Sequence, residues 1–178
     1  MKKIILISIV LFTTLTSFGQ LIRPNRPYLT FNAEPGYVTV NEFTAGYGLA
    51  GQTVPYSKHY FGFTTVHGYQ ANETFMIGGG TGLLFYNDGL LIPLYIDMRV
   101  RVNQGLLVPY LSGAGGLLLN PSDFDAGTRM FINPAAGILY PITRKLAADI
   151  SAGFLMQMAP NIGRASFVNA KIGVTYKF

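Results

Sequence analysis

The chain holds no cysteine and no tryptophan among its 178 residues. Without thiols there is no disulfide framework and no thiolate metal site. Charge is scarce as well: Asp, Glu, Lys and Arg together make up 12% of the residues, about half the usual share of a soluble domain. No basic run is present, and a formal net charge of +5 is too small to argue for a nucleic-acid partner. Beyond its first dozen residues no apolar stretch approaches the ~20 residues of a membrane helix. Yet 49% of the chain is hydrophobic and 13% aromatic, with 11 Tyr and 13 Phe. A chain this apolar, with no spanning helix, points to a closed barrel, the other architecture that satisfies its backbone in lipid.

Met1-Lys2-Lys3 is a short basic start, and Ile4 to Phe12 is an apolar run broken only by Ser8. Residues 13–19 then turn small and polar, with Ser17 and Gly19 at the −3 and −1 places before Gln20. The pattern predicts a secretory signal peptide over residues 1–19, too short to serve as a spanning helix. Cleavage after Gly19 removes Lys2 and Lys3 and lowers the net charge from +5 to +3. Residues 20–36, with Pro24, Pro27 and Pro35, predict an irregular periplasmic lead-in. Residues 37–178 then form one small domain.

The strongest pattern lies in the last stretch. Val168, Ala170, Ile172, Val174, Tyr176 and Phe178 alternate with Asn169, Lys171, Gly173, Thr175 and Lys177. That is the period of a strand with one apolar and one polar face. A transmembrane barrel closes on such a strand and carries an aromatic girdle at the membrane edge, so Tyr176 and Phe178 are expected to act as an assembly signal. Seven more strands are predicted before it: Tyr37–Gly51, Tyr60–Tyr69, Phe75–Tyr86, Leu91–Val102, Val108–Leu119, Arg129–Tyr140 and Leu146–Met158, with Ala165–Phe178 the eighth. Turn chemistry separates them, most clearly in Asn87-Asp88-Gly89. The expected fold is all-β: an eight-stranded antiparallel up-and-down transmembrane β-barrel.

Facing follows from parity. In the fourth strand Ile92, Leu94, Ile96, Met98, Val100 and Val102 share one side, and Tyr95, Asp97, Arg99 and Arg101 the other. Lipid requires the first set outside and the second in the lumen. The same rule sends Glu42, Arg129, Asp149 and Lys171 inward. An eight-stranded barrel is just wide enough for side chains to fill it. The charges must therefore pair, and an ion-pair network of Glu42, Asp97, Arg99, Arg101, Arg129, Asp149 and Lys171 is expected, with Glu42 and Asp97 near Arg99 and Arg101.

Several stretches also resemble the small outer-membrane β-barrel proteins abundant in some Gram-negative bacteria. They include Pro55-Tyr56-Ser57-Lys58-His59-Tyr60-Phe61-Gly62-Phe63, Gly78-Gly79-Gly80-Thr81-Gly82, Ile92-Pro93-Leu94-Tyr95-Ile96-Asp97-Met98-Arg99, and Pro109-Tyr110-Leu111. The resemblance spans nearly all of residues 20–178. It implies an eight-stranded barrel in the cell outer membrane, of a kind mostly of undefined role, and it brings no catalytic residues and no cofactor. Expected partners are outer-membrane lipid and lipopolysaccharide and the barrel-assembly machinery; no protein partner can be named.

Candidate chemistry is thin. His59 with Ser57 and Tyr56 on an outer loop is the one conceivable nucleophile–base pair, and a lipid-modifying enzyme is the reading it would support. His67 suits a girdle position. Residues 78–82 lack the Lys and helix of a phosphate loop, and consecutive glycines instead permit curvature and close packing. Asp123 and Asp125 fall short of a calcium loop. A non-enzymatic structural or binding role is therefore expected. The alternatives are a secreted lipocalin-type barrel, with Asp97, Arg99 and Arg101 facing water, and a narrow gated channel.

Overall fold

The computed structural model describes residues 30–32, 34–49, 55–102, 105–122, 127–159 and 163–178. Eight strands follow in chain order: β1 (Gly36–Gly48), β2 (His59–Gln70), β3 (Phe75–Tyr86), β4 (Gly89–Arg101), β5 (Val108–Leu119), β6 (Arg129–Pro141), β7 (Leu146–Ala159) and β8 (Gly163–Lys177). Each pairs antiparallel with the next, and β1 also pairs with β8, which closes the barrel. The eight expected strands are all present, and only their ends differ. β1 stops at Gly48 rather than Gly51, and β4 already begins at Gly89 because the turn before it needs only Asn87 and Asp88. The expected signal peptide, residues 1–19, and the lead-in as far as residue 29 lie outside the described residues, as do Asp123 and Asp125.

Two ends can be told apart. At one end, which also holds the start of β1 and Phe178, the β2–β3 and β6–β7 turns are tight. Asn72 Oδ1 accepts from the backbone N–H of Thr74 (2.9 Å) and Phe75 (2.8 Å), and Thr143 Oγ1 accepts from those of Lys145 (3.1 Å) and Leu146 (2.9 Å). Side chains that satisfy backbone donors in this way fix a turn without help from the rest of the fold. We call this the turn end and the opposite one the loop end.

The wall sorts its side chains by parity. On β4, Ile96 and Met98 are 56% and 47% exposed, whereas Asp97 and Arg99 between and beside them are 1% and 5% exposed. That overturns the lipocalin alternative, which needs the reverse. Outward aromatic side chains rim both ends: Tyr37, Tyr69, Tyr140, Tyr176 and Phe178 at the turn end, and Tyr47, Phe61 and Phe85 at the loop end. Soluble proteins do not expose apolar surface on this scale, and aromatic girdles flanking an apolar band are what a bilayer selects.

Inside, aromatic rings are seated on glycines of the neighbouring strand. Gly80 pairs with Tyr95 across β3 and β4, and Gly46 pairs with Tyr60 across β1 and β2. At both glycines an added Cβ would fall within the partner's ring. The missing side chain is what lets each ring lie flat against the wall. Toward the loop end Tyr60 stacks with Tyr86 (4.9 Å between centroids), and Phe167 meets both rings edge-on.

Candidate functional site: the lumen and its two caps

At mid-height the lumen is polar, and its centre is Arg99 on β4. Its Nη2 donates to Glu42 Oε1 across the lumen on β1 (2.8 Å), and its Nε donates to Asp97 Oδ1 two residues away (2.8 Å). Lys171 on β8 reaches the other oxygen of Glu42 (3.4 Å). Forked recognition by one planar guanidinium ties β1 to β4, and the ammonium ties β8 back to β1, the strand it is already paired with. Asp149 on β7 sits in the same layer, where it accepts from the Tyr110 hydroxyl (3.3 Å) and from Thr175 Oγ1 (3.4 Å). Arg99 in turn lies 5.5 Å from the centroid of the Tyr110 ring. One layer nearer the loop end, Asn169 donates to the Tyr60 hydroxyl (2.8 Å) and to Asn133 Oδ1 (3.2 Å).

Two arginines expected in this network are elsewhere. Arg101 does not share the carboxylates with Arg99. One pleat further along β4, it has passed toward the turn end, where its Nη1 donates to Gln70 Oε1 (3.0 Å) and its guanidinium lies over the Phe31 ring (4.9 Å). Arg129, at the start of β6, is at the loop end and donates to the carbonyl of Pro55 (3.0 Å). Parity sets the face a side chain takes, and register sets its height.

Arg129 belongs to a cap. Residues 55–58, just before β2, fold in over the loop-end mouth, with Tyr56 at their centre. Arg129 lies over the Tyr56 ring (4.6 Å), and the ring meets Tyr86 edge-on (5.9 Å). The Tyr56 carbonyl accepts from Gln157 Nε2 (2.6 Å), its N–H donates to Asp88 Oδ2 (2.6 Å), and its hydroxyl accepts from Asn120 Nδ2 (3.3 Å). Tyr56 holds this place with φ of 59°, in the left-handed region that a bulky residue occupies only when its surroundings fix it. Removing the ring should therefore loosen this cap more than the barrel. Tyr56→Ala is expected to speed proteolysis within the β1–β2 loop while leaving the unfolding midpoint of the wall nearly unchanged, which limited digestion and urea titration of the same sample would check.

The turn-end mouth is covered by the described residues just before β1. Phe31 is 6% exposed and packs with Val108, Tyr110, Leu139 and Ala147. The Asn32 carbonyl accepts from Gln70 Nε2 (3.4 Å) and Lys177 Nζ (3.2 Å), and the Asn32 N–H donates to the Arg144 carbonyl (2.8 Å). Lys177 Nζ also donates to the Glu34 carbonyl. Phe31, Asn32 and Glu34 thus form a strap across the mouth, held by side chains from β2, β4 and β8. Between the caps, an interior void lined by Thr44, Thr64 and Lys171 measures about 20 Å³, room for a single water.

The remaining candidates are spread over the cap and the outer wall. Ser57 is buried under the cap, while His59 opens β2 on the exposed side. His67 is outside the barrel, with its Nδ1 2.6 Å from the Tyr37 hydroxyl. Phe178 packs on Tyr37 (5.2 Å) and Tyr176 (4.9 Å), and its N–H donates to the Tyr37 carbonyl (3.2 Å). Among the described residues, no three His, Asp or Glu side chains converge as a metal centre requires. Apart from Arg101 and Arg129, the sequence reading missed the cap residues. Gln70, Gln157 and Lys177 were signalled, being polar at inward positions near strand ends. Phe31 and Tyr56 were not, because nothing local distinguishes them from other loop aromatics.

No protein-family model matches the chain, and no curated protein matches it in sequence. Solved structures do match in fold. Neisserial surface protein A superposes with a TM-score of 0.60 at 15% identity, over 82% of this chain and 99% of its own. The outer membrane protein OprG from Pseudomonas aeruginosa gives 0.52 at 10% identity, over 83% and 98%. A de novo designed transmembrane β-barrel gives 0.50 at 17% identity, over 83% and 100%. At such identities the likeness is one of fold. Together with the apolar exterior and its aromatic rims, it makes this chain an eight-stranded β-barrel of the outer-membrane type.

Proposed function

We propose that the protein is a non-enzymatic component of the outer membrane, a sealed barrel with a structural or binding role. The observation that carries this reading is the lumen: a central ion-pair layer lies between two caps, each anchored by side chains from several strands. Such an interior stiffens the wall and offers no route through it. On this reading the turn end faces the periplasm, with the strap there and the Tyr56 cap outside the cell, which the tight β2–β3 and β6–β7 turns support. On this reading outer-membrane lipid and lipopolysaccharide surround the wall, and Tyr176 and Phe178 present the aromatic edge that the assembly machinery handles.

Purified protein in planar bilayers is expected to show no discrete conductance, and regular single-channel steps would overturn the sealed-barrel reading. The enzymatic alternative is tested separately through the outward histidine. Lipid A from cells carrying His59→Ala should match that from wild type. Loss of one acyl or head-group modification would overturn the non-enzymatic reading.

A further inference from the structure

The outer wall is apolar nearly all the way round, and the exception is confined to one face. On β4 through β7 the outward positions between the aromatic rims are Leu, Ile, Met, Val, Ala, Gly, Phe and Pro. On β1, β2 and β3 they include Thr39, Asn41, Thr65, His67 and Thr81. The register brings these five together. Asn41 pairs with Thr65, and Thr65 pairs with Thr81, in one row across three strands; Thr39, His67 and Gly79 form the next row toward the turn end. Above them stand Phe43 and Phe63, edge-on at 5.0 Å, and below them Tyr37 and Tyr69. The upper row lies four residues beyond the tyrosine rim. At ~3.3 Å per residue and a strand tilt of ~40° that is about 10 Å into an apolar band ~25 Å tall.

A polar side chain at that depth needs a partner, since hydrocarbon offers none. His67 has the Tyr37 hydroxyl on one nitrogen and Thr65 Oγ1 at 3.4 Å from the other. Asn41 and Thr81 make no side-chain hydrogen bond to another described residue, and both are exposed. The wall beside them leaves room for a neighbour. A Cβ added at Gly79 would meet nothing within 4 Å, and a groove of about 510 Å³ runs between Asn41, Thr65, Leu83 and Val174. Phe63, 64% exposed, stands at the rim of that groove.

We propose that this face is the contact between two copies of the chain within the membrane. The patch complements itself. An amide and a hydroxyl each donate and accept, so a two-fold axis through the row sets Asn41 of one copy against Asn41, Thr65 or Thr81 of the other. It holds no Asp, Glu, Lys or Arg, so nothing repels an identical surface. The same axis carries each Phe63 toward the groove of its partner. Hydrogen bonds between polar groups in lipid, together with close approach at small residues, are the forces that hold membrane-embedded surfaces together.

The absence of cysteine makes the test direct. Asn41→Cys, Thr65→Cys and Thr81→Cys are introduced singly, with Ile150→Cys on the opposite face as the control, and each is oxidised in native membranes. A species of twice the monomer mass is expected from at least one patch variant and not from Ile150→Cys. No such species from any of the three would overturn the proposal. So would equal cross-linking of the control, or a cross-linked species of another mass, which would mark a different protein as the occupant. In lipid nanodiscs or bilayers, Asn41→Leu should weaken self-association about threefold to tenfold, read by single-molecule photobleaching or a dilution series. Heat-modified gel mobility confirms in the same samples that each variant barrel has folded. A folded Asn41→Leu barrel that associates as tightly as wild type would also overturn it.

Discussion

Replacing Arg99 with alanine should lower the stability of the barrel by about 3–5 kcal/mol, the range for breaking a buried pair by removing one partner. The change leaves Glu42 and Asp97 facing one lumen with Lys171 as the one cation in direct contact, at 3.4 Å from Glu42. Both carboxylates are shielded from solvent, at 2% and 1% exposure, so water cannot take over the lost contacts without opening the wall. The urea midpoint of unfolding in detergent or lipid should fall clearly, and the gel transition between folded and heated forms should move to lower temperature. Arg99→Lys should recover only part of the loss, because one ammonium cannot reproduce two donors aimed at two carboxylates. The quadruple variant with Glu42→Gln, Asp97→Asn, Arg99→Met and Lys171→Met should lie nearer to wild type than Arg99→Ala, since none of the four paired charges is then stranded. An unchanged midpoint in Arg99→Ala would mean that these ion pairs do not support the fold.

The second large effect is steric. Gly80→Ala places a methyl group where the Tyr95 ring lies. The ring is packed against Phe131 (5.8 Å, edge-on), and it cannot swing away without displacing that neighbour. Overpacking of this kind costs about 1–3 kcal/mol. The control is Gly113→Ala, also within a strand, where an added Cβ meets nothing within 4 Å. Both substitutions replace Gly by Ala in a strand, so their difference isolates the collision from any general effect of losing a glycine. Equal midpoints for the two variants would show that the ring–glycine seat contributes nothing.

These two sites also mark how far the sequence could be read. The alternation in β1, β4, β6, β7 and β8 is clean enough that Glu42, Asp97, Arg99, Asp149 and Lys171 could be turned inward from parity alone. The glycine-rich strands resist this reading. Gly78, Gly80 and Gly82 on β3, and Gly113, Gly115 and Gly116 on β5, carry no side chain whose polarity could show a face. Height in the lumen was not legible either. Arg99 and Arg101 share a parity, and only the strand register separates the central ion pair from the contact with Gln70 and Phe31. The caps depend on contacts far apart in the chain, such as Tyr56 with Gln157, which no local pattern announces.

The strap across the turn-end mouth precedes every strand in the chain, yet its seat is assembled from nearly all of them. Gln70 comes from β2, Arg101 from β4, Tyr110 from β5, Leu139 from β6, Ala147 from β7 and Lys177 from β8. Contacts of such long range form late, after the intervening chain has been ordered. The strap therefore serves as a tell-tale of completion: a barrel that stalls before its last strand joins the first has no finished seat for Phe31. That ring and the backbone beside it then lack the partners they have in the closed barrel, so burial of Phe31 reports that the wall is complete.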